Sequence, residues 1–174
     1  AERTPANIAI VLDKSGSMQG AKIQQAREAA VIAIQRLNKD DIVSVVTYDT
    51  TVNVVVPATK VSDKNAITRL IRQIGANGST ALFAGVSKGA DELRKFIDKN
   101  RVNRVILLSD GLANVGPASA NELGQLGLSL SKEGMSVTTI GLGLGYNEDL
   151  MTQLAGYSDG NHAFVEKPED LAKI

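Results

Sequence analysis

The chain has 174 residues, a length that fits one domain with a buried core. Lysine plus arginine equals aspartate plus glutamate at 19 each, so the net charge indicates no affinity for nucleic acid or an anionic membrane. The absence of cysteine excludes disulfides, thiolate metal sites and cysteine nucleophiles. No apolar run reaches the ~18 residues that span a bilayer, so we expect neither a nucleic-acid partner nor direct membrane insertion.

The first strong pattern along the chain is an apolar run, Ile8–Leu12, typical of a strand buried on both faces of a parallel sheet. Residues 21–37 have the periodicity of an amphipathic helix. Two further strands are expected at Ile42–Tyr48 and Val52–Val56, the second ended by Pro57. Because their connection is too short for a crossover helix, we expect these two strands to be antiparallel, with the third at a sheet edge.

The rest of the chain alternates helices and strands. One helix follows Ser62, and another begins near Ala81. The apolar positions expected to face the sheet from these two helices are Ile67, Leu70, Ile71, Ile74, Leu82, Val86, Ala90, Leu93 and Ile97. The remaining expected elements are a strand at Val105–Leu108, a helix opened by Ser119 and Glu122 and closed by Gly134, a strand at Val137–Ile140, a short helix over 147–155, a strand at Ala163–Val165 and a helix from Pro168.

Strands that alternate with helices in this way predict a doubly wound α/β fold. We expect a mostly parallel six-stranded sheet with one antiparallel edge strand and helices on both faces. Residues 1–174 are expected to form a single domain, monomeric in isolation. The start at Ala1, without Met, is the start expected of a domain excised from a longer chain.

Hard oxygen ligands gather where two of the predicted strands end. Asp13 ends the first strand and is followed by Ser15 and Ser17, and Asp110 follows the fourth strand. In open α/β sheets, ligands collect outside the carboxyl ends of the strands where the strand order reverses. If these two strands are central neighbours, both aspartates face one crevice. Thr80, in a loop just ahead of a helix, can bring a third hydroxyl there.

Three hydroxyls and two carboxylates suit Mg²⁺, which takes about six oxygen ligands and usually keeps some waters. The cation would stay electrophilic and would have a position that a partner's carboxylate fills well. Ca²⁺ is a weaker fit because it usually takes more carboxylates. Zn²⁺ is not expected without cysteine and with His162 as the one histidine.

These residues carry a resemblance to the von Willebrand factor type A domain, which extends over nearly the whole chain. The metal-ion-dependent adhesion site of that family reads Asp-x-Ser-x-Ser, then Thr, then Asp. Asp13, Ser15, Ser17, Thr80 and Asp110 match it in type and order. The resemblance implies a Rossmann-like sheet that binds Mg²⁺ or Mn²⁺ at its top. It also implies adhesion or complex assembly through an Asp or Glu of a partner protein, without enzymatic activity.

The stretches TYDTTV and GLGLGYNEDLM resemble the bacterial branch of the family. Together with the cysteine-free composition and the start without Met, they favour the bacterial envelope or exterior over the cytoplasm. Other interpretations stay open at this point. Asp13, Ser15 and Ser17 can act purely as turn and capping residues. The domain can also be a structural scaffold with an empty site.

An Mg²⁺-dependent phosphatase with Asp13 as nucleophile is the enzymatic alternative, although Ser15 stands where such an enzyme needs a general acid. The run Gly141–Gly145 fails the GxGxxG pattern at its last position and is expected to be a flexible loop beside the site. Lys14 is expected to be solvated or to attract an acidic partner. Asp49 and Asn114 are expected on the rim of the site rather than among the ligands, and Asp49 is the better candidate of the two to hold a group beside the metal.

Overall fold

A computed structural model describes residues 6–14, 20–37, 39–49, 52–61, 64–75, 82–97, 101–109, 120–142 and 162–165. The elements in chain order are β1 (Ala6–Asp13), α1 (Ala21–Gln35), β2 (Ile42–Tyr48), β3 (Val52–Lys60), α2 (Lys64–Arg72), α3 (Leu82–Arg94), β4 (Val102–Ser109), α4 (Ala120–Lys132), β5 (Ser136–Leu142) and β6 (His162–Val165). The six strands form one sheet in the order β3-β2-β1-β4-β5-β6. All neighbours are parallel except β2 and β3, so the mixed α/β sheet with an antiparallel edge pair is confirmed.

The central strand β1 is apolar on both sides because helices cover both faces of the sheet. Ile10 and Leu12 belong to a core cluster shared with α1 and α2. Ala9 and Val11 belong to a second cluster, shared with α3 and α4, on the opposite face. The continuous apolar run was therefore a correct indicator of a strand with two buried faces.

The edge strand β3 is longer than expected, because Pro57 does not end it. Pro57 and Ala58 together lie opposite one residue of β2, Ser44, in a β-bulge. An edge strand tolerates proline at such a point because no ladder hydrogen bond is required there. The backbone N–H of Ala58 instead donates to Oε1 of Glu92 on α3 at 2.9 Å, which ties the bulge to the helix.

Two apolar positions expected in the core are exposed. Leu70 on α2 is 42% exposed, while Ile67 and Ile71 are buried. Because α2 packs mainly on α1 and the edge strand β3, its buried stripe is narrow. Ile97 is 40% exposed, since α3 ends at Arg94 and the helical periodicity does not continue to it.

The expected glycine cap after α4 is confirmed. Gly134 has a φ of 85°, and its N–H donates to Ser131 O while Met135 N–H donates to Leu130 O, as in a Schellman motif. Met135 and Leu130 lie in the same core cluster. Ser119, expected to open this helix, lies outside the described residues, as do the helices expected over 147–155 and from Pro168.

Candidate metal centre

The strand order reverses between β1 and β4. From this pair, β2 and β3 extend to one side, and β5 and β6 extend to the other. Because β1, β2 and β4 are parallel, their carboxyl ends meet at one edge of the sheet, which we call the carboxyl edge. It is formed by the last residues of these strands, Asp13, Tyr48 and Ser109. A crevice at such a reversal is the usual ligand site of an open α/β sheet.

Asp13 and Ser109 contact each other across the two central strands. Leu12 pairs with Leu108, which brings the next residues of the two strands side by side. The hydroxyl of Ser109 donates to Oδ2 of Asp13 at 2.8 Å, and both side chains are fully buried. A buried carboxylate is unfavourable unless hydrogen bonds or opposite charge compensate it, and the Ser109 hydroxyl provides one such hydrogen bond.

Lys14 is not the solvated side chain expected from the sequence. Its Nζ lies 2.7 Å from Oδ2 of Asp49, and the two side chains are only 20% and 16% exposed. Its backbone N–H donates to Tyr48 O at 2.8 Å, which extends the contact between β1 and β2 by one residue. The pair neutralises the lysine beside Asp13, so Asp49 lies near the candidate site and holds Lys14.

Helix α3 begins at the carboxyl edge. A Cβ added at Gly85, in its first turn, would lie 2.4 Å from Cδ1 of Tyr48, whereas one added at Gly89 would lie 2.5 Å from Cγ2 of Val11. The helix therefore runs from the carboxyl edge back across the sheet. Thr80 precedes the first residue of α3 by two positions in the sequence.

Of the five predicted ligands, the structure describes Asp13 and places it at the carboxyl edge. Ser15, Ser17, Thr80 and Asp110 lie outside the described residues, so the ligand set stays a prediction. Within the described ranges no three His, Cys, Asp or Glu side chains gather into a metal-binding group. The predicted ligand set has only two residues of these four types, Asp13 and Asp110, so it would not form a group of three. Its other donors are hydroxyls.

Sequence reasoning missed Ser109. The feature that could have indicated it is its position: Ser109 is the last residue of a buried strand and directly precedes Asp110. That strand is the neighbour of β1. The expected glycine-rich loop also starts later than predicted, because Gly141 is part of β5 and pairs with Ser109 and Phe164. His162 begins the edge strand β6, one residue earlier than the strand predicted at Ala163–Val165.

Comparison with known proteins decides the family. The family model of the von Willebrand factor type A domain matches residues 7–174. The chain belongs to this family. Domains of the family bind protein partners. No helix in the described part of the chain is long and apolar enough to cross a membrane.

Relatives of this von Willebrand factor type A domain include bacterial proteins. The chain is 32% identical to the uncharacterized protein sll0103 of Synechocystis over 168 residues, 97% of this chain and 39% of that protein. A solved von Willebrand factor type A protein from Catenulispora acidiphila superimposes with a TM-score of 0.84 at 21% identity, over 98% of this chain and 41% of that one.

Proximal thread matrix protein 1 from the mussel byssus, solved with a zinc-occupied adhesion motif, has a TM-score of 0.73 at 25% identity. The match covers 98% of this chain and 43% of the mussel protein. This chain therefore spans less than half the length of each of the three proteins.

Proposed function

We propose that this domain is a non-enzymatic, metal-dependent protein-binding module that serves adhesion or complex assembly. Asp13, Ser15, Ser17, Thr80 and Asp110 would hold one divalent cation at the carboxyl edge. A carboxylate from an Asp or Glu of a partner protein would complete the coordination of that cation.

The observation that carries this proposal is the buried carboxylate of Asp13 at the point of strand reversal. It is held by Ser109 and lies at the edge where α3 begins. Buried charges in proteins are generally paired or coordinate a metal. The donor chemistry therefore fits a hard divalent ion, and the sequence neighbours of β1, β4 and α3 supply the other oxygens.

Mg²⁺ is the proposed ion, with Mn²⁺ and Ca²⁺ as alternatives. Because the mussel protein was solved with zinc in its adhesion motif, Zn²⁺ is added to the ions to be tested. When bound, the cation would supply a positive charge and an open position for an acidic partner. The proposed location of the domain is the bacterial envelope or exterior.

Thermal unfolding of the chelator-treated chain with and without Mg²⁺ tests the metal. At a Mg²⁺ concentration a hundred times the dissociation constant, binding stabilises the folded state by about 2.7 kcal/mol. For a chain of this size that corresponds to a rise of roughly 5 to 11 °C in Tm. Asp13→Asn should abolish the rise.

Asp41→Asn is the matched control. Asp41 is fully buried too, but its Oδ1 accepts the backbone N–H of Ala6 at the opposite edge of the sheet. This variant should keep the full response to Mg²⁺. An unmodified chain that does not respond to millimolar divalent ions would contradict the proposal. Turnover of phosphate esters with Mg²⁺ that is lost in Asp13→Asn would replace it with the enzymatic alternative.

A further inference from the structure

We propose that Ser109 is a positioning residue for the metal, which holds the Asp13 carboxylate in the orientation that the cation requires. This inference rests on the function proposed above and adds to it a residue outside the five-residue motif. It is carried by the contact between Ser109 Oγ and Asp13 Oδ2, which lie 2.8 Å apart.

The direction of this hydrogen bond follows from the chemistry of the two groups. The hydroxyl of Ser109 is the donor and Oδ2 of Asp13 is the acceptor, which is the direction that suits the ionised carboxylate that a cation would bind. Its single proton is therefore committed to Asp13, and any further contact of the hydroxyl uses its oxygen as acceptor. Hydrogen bonds to a charged acceptor are roughly twice as strong as neutral ones.

The contact is built into the sheet. Because β1 and β4 are parallel and Leu12 pairs with Leu108, the last residues of the two strands extend to the same side. Both side chains are fully buried, so water does not compete for the bond. The contact between Ser109 and Asp13 thus follows from the strand register and does not depend on the conformation of a loop.

The consequence for Asp13 is a fixed orientation. A carboxylate turns about its last single bond unless something holds it, and the bond to Oδ2 sets the direction of the other oxygen. Hydrogen-bond partners that orient metal ligands typically contribute 10–100-fold to metal affinity. Ser109 also directly precedes the predicted ligand Asp110. The end of β4 would therefore orient the carboxylate of Asp13 and also lead into Asp110.

Calorimetric titration of MgCl₂ into the chelator-treated chain tests this role. Ser109→Ala removes the donor and should weaken Mg²⁺ binding about 10–100-fold. Ser109→Thr keeps the hydroxyl in a β-branched side chain suited to a strand and should restore affinity to within a few-fold of the parent. If Ser109→Ala does not fold, Ser109→Cys fills nearly the same space with a weak donor and should also lose affinity.

Ser44→Ala is the matched control. Ser44 is buried in the neighbouring strand β2, pairs with Ala9 and has no hydrogen-bond partner for its hydroxyl within the described part of the chain. Its removal should leave Mg²⁺ affinity unchanged. Thermal unfolding without metal, measured in parallel, reports any purely structural loss.

The outcomes separate the two proposals. If the parent binds Mg²⁺, Asp13→Asn does not, and Ser109→Ala binds within twofold of the parent, the positioning role is wrong and the metal site stands. A lower metal-free Tm in Ser109→Ala with unchanged affinity leads to the same conclusion. If the parent does not bind Mg²⁺, the proposed function fails and this inference fails with it.

Discussion

Among the residues that the structure describes, each of these two edges of the sheet holds one fully buried aspartate, and comparing them separates a structural carboxylate from a candidate ligand. At the amino edge, where β1 starts, Oδ1 of Asp41 accepts the backbone N–H of Ala6 at 2.8 Å. At the carboxyl edge, Asp13 accepts the side-chain hydroxyl of Ser109. The two aspartates are alike in residue type and burial. They differ in the groups that contact them and in their position relative to the reversal of strand order.

The partners at the amino edge are largely main-chain groups. Arg101 donates from Nη1 to the carbonyl of Asp40 at 2.6 Å, and Asn7 donates from Nδ2 to the carbonyl of Leu93 at 3.0 Å. These contacts satisfy backbone groups at the ends of strands and helices, which would otherwise be buried without partners. We therefore expect changes at the amino edge to alter stability alone, and changes at the carboxyl edge to alter the response to metal.

The largest loss of stability is expected from Asp41→Ala. It leaves the backbone N–H of Ala6 without its acceptor and removes a buried carboxylate, which should lower the free energy of unfolding by about 3 kcal/mol. Urea unfolding measures it, with exposed Asp91→Ala as the control, expected to change far less. An altered Mg²⁺ affinity in folded Asp41→Ala would break the distinction between the edges.

Gly85→Ala tests the start of α3 at the carboxyl edge. The added Cβ would lie 2.4 Å from the ring of buried Tyr48, so the helix and the ring must move apart. We expect this to lower the free energy of unfolding by about 2 kcal/mol. Because Thr80 precedes this helix, we expect weaker Mg²⁺ binding as well. Gly75→Ala is the control, since a Cβ there has no neighbour within 4 Å. Unchanged stability in Gly85→Ala would show that this end of α3 is loosely packed.

Gly134→Ala tests the turn that leads from α4 into β5. Gly134 has a φ of 85°, a region that alanine avoids, so the variant should lose about 1 kcal/mol of stability. Gly134→Asn should recover part of the loss, because asparagine tolerates this conformation better. Equal stability of all three proteins would contradict the cap. Mg²⁺ affinity should stay unchanged throughout.

The smallest effect is expected from the ion pair that links α3 to the residue after α4. Hydrogen bonds from Arg94 hold the pKa of Glu133 below its usual 4.5. A lowered folded pKa means that the stabilisation is present above pH 4.5 and is lost as the pH falls through the folded value. Both side chains are exposed, so Glu133→Gln should cost at most about 1 kcal/mol at pH 7. Unfolding measured from pH 7 to pH 3 should show this difference vanish; a difference that persists at pH 3 would exclude the ion pair as its cause.

The sequence contained most of the fold. Period and run length predicted β2 at Ile42–Tyr48, and the turn chemistry predicted the cap at Gly134. The predictions that were wrong concern features that are set by tertiary contacts. Pro57 lies inside β3 because a bulge and Glu92 accommodate it, and Leu70 is exposed because only a narrow stripe of α2 is covered.

The candidate site was predictable in part. An aspartate at the end of an apolar run predicted the place of Asp13, since strand ends meet where the strand order reverses. Two contacts were not predictable, the one between Asp13 and Ser109 and the one between Lys14 and Asp49. Both depend on which strands are neighbours and on the register in which they pair. All five ligands stay predictions, because the structure fixes the position of Asp13 and not its binding of a metal.

The central claim is that distant segments of this chain bind one divalent cation at the carboxyl edge, and anomalous diffraction from crystals grown with Mn²⁺ tests it most directly. We expect one manganese peak, bounded by Asp13, Ser15, Ser17, Thr80 and Asp110. A manganese peak elsewhere, with Asp110 or Thr80 too far from Asp13 to share an ion even through water, would contradict it.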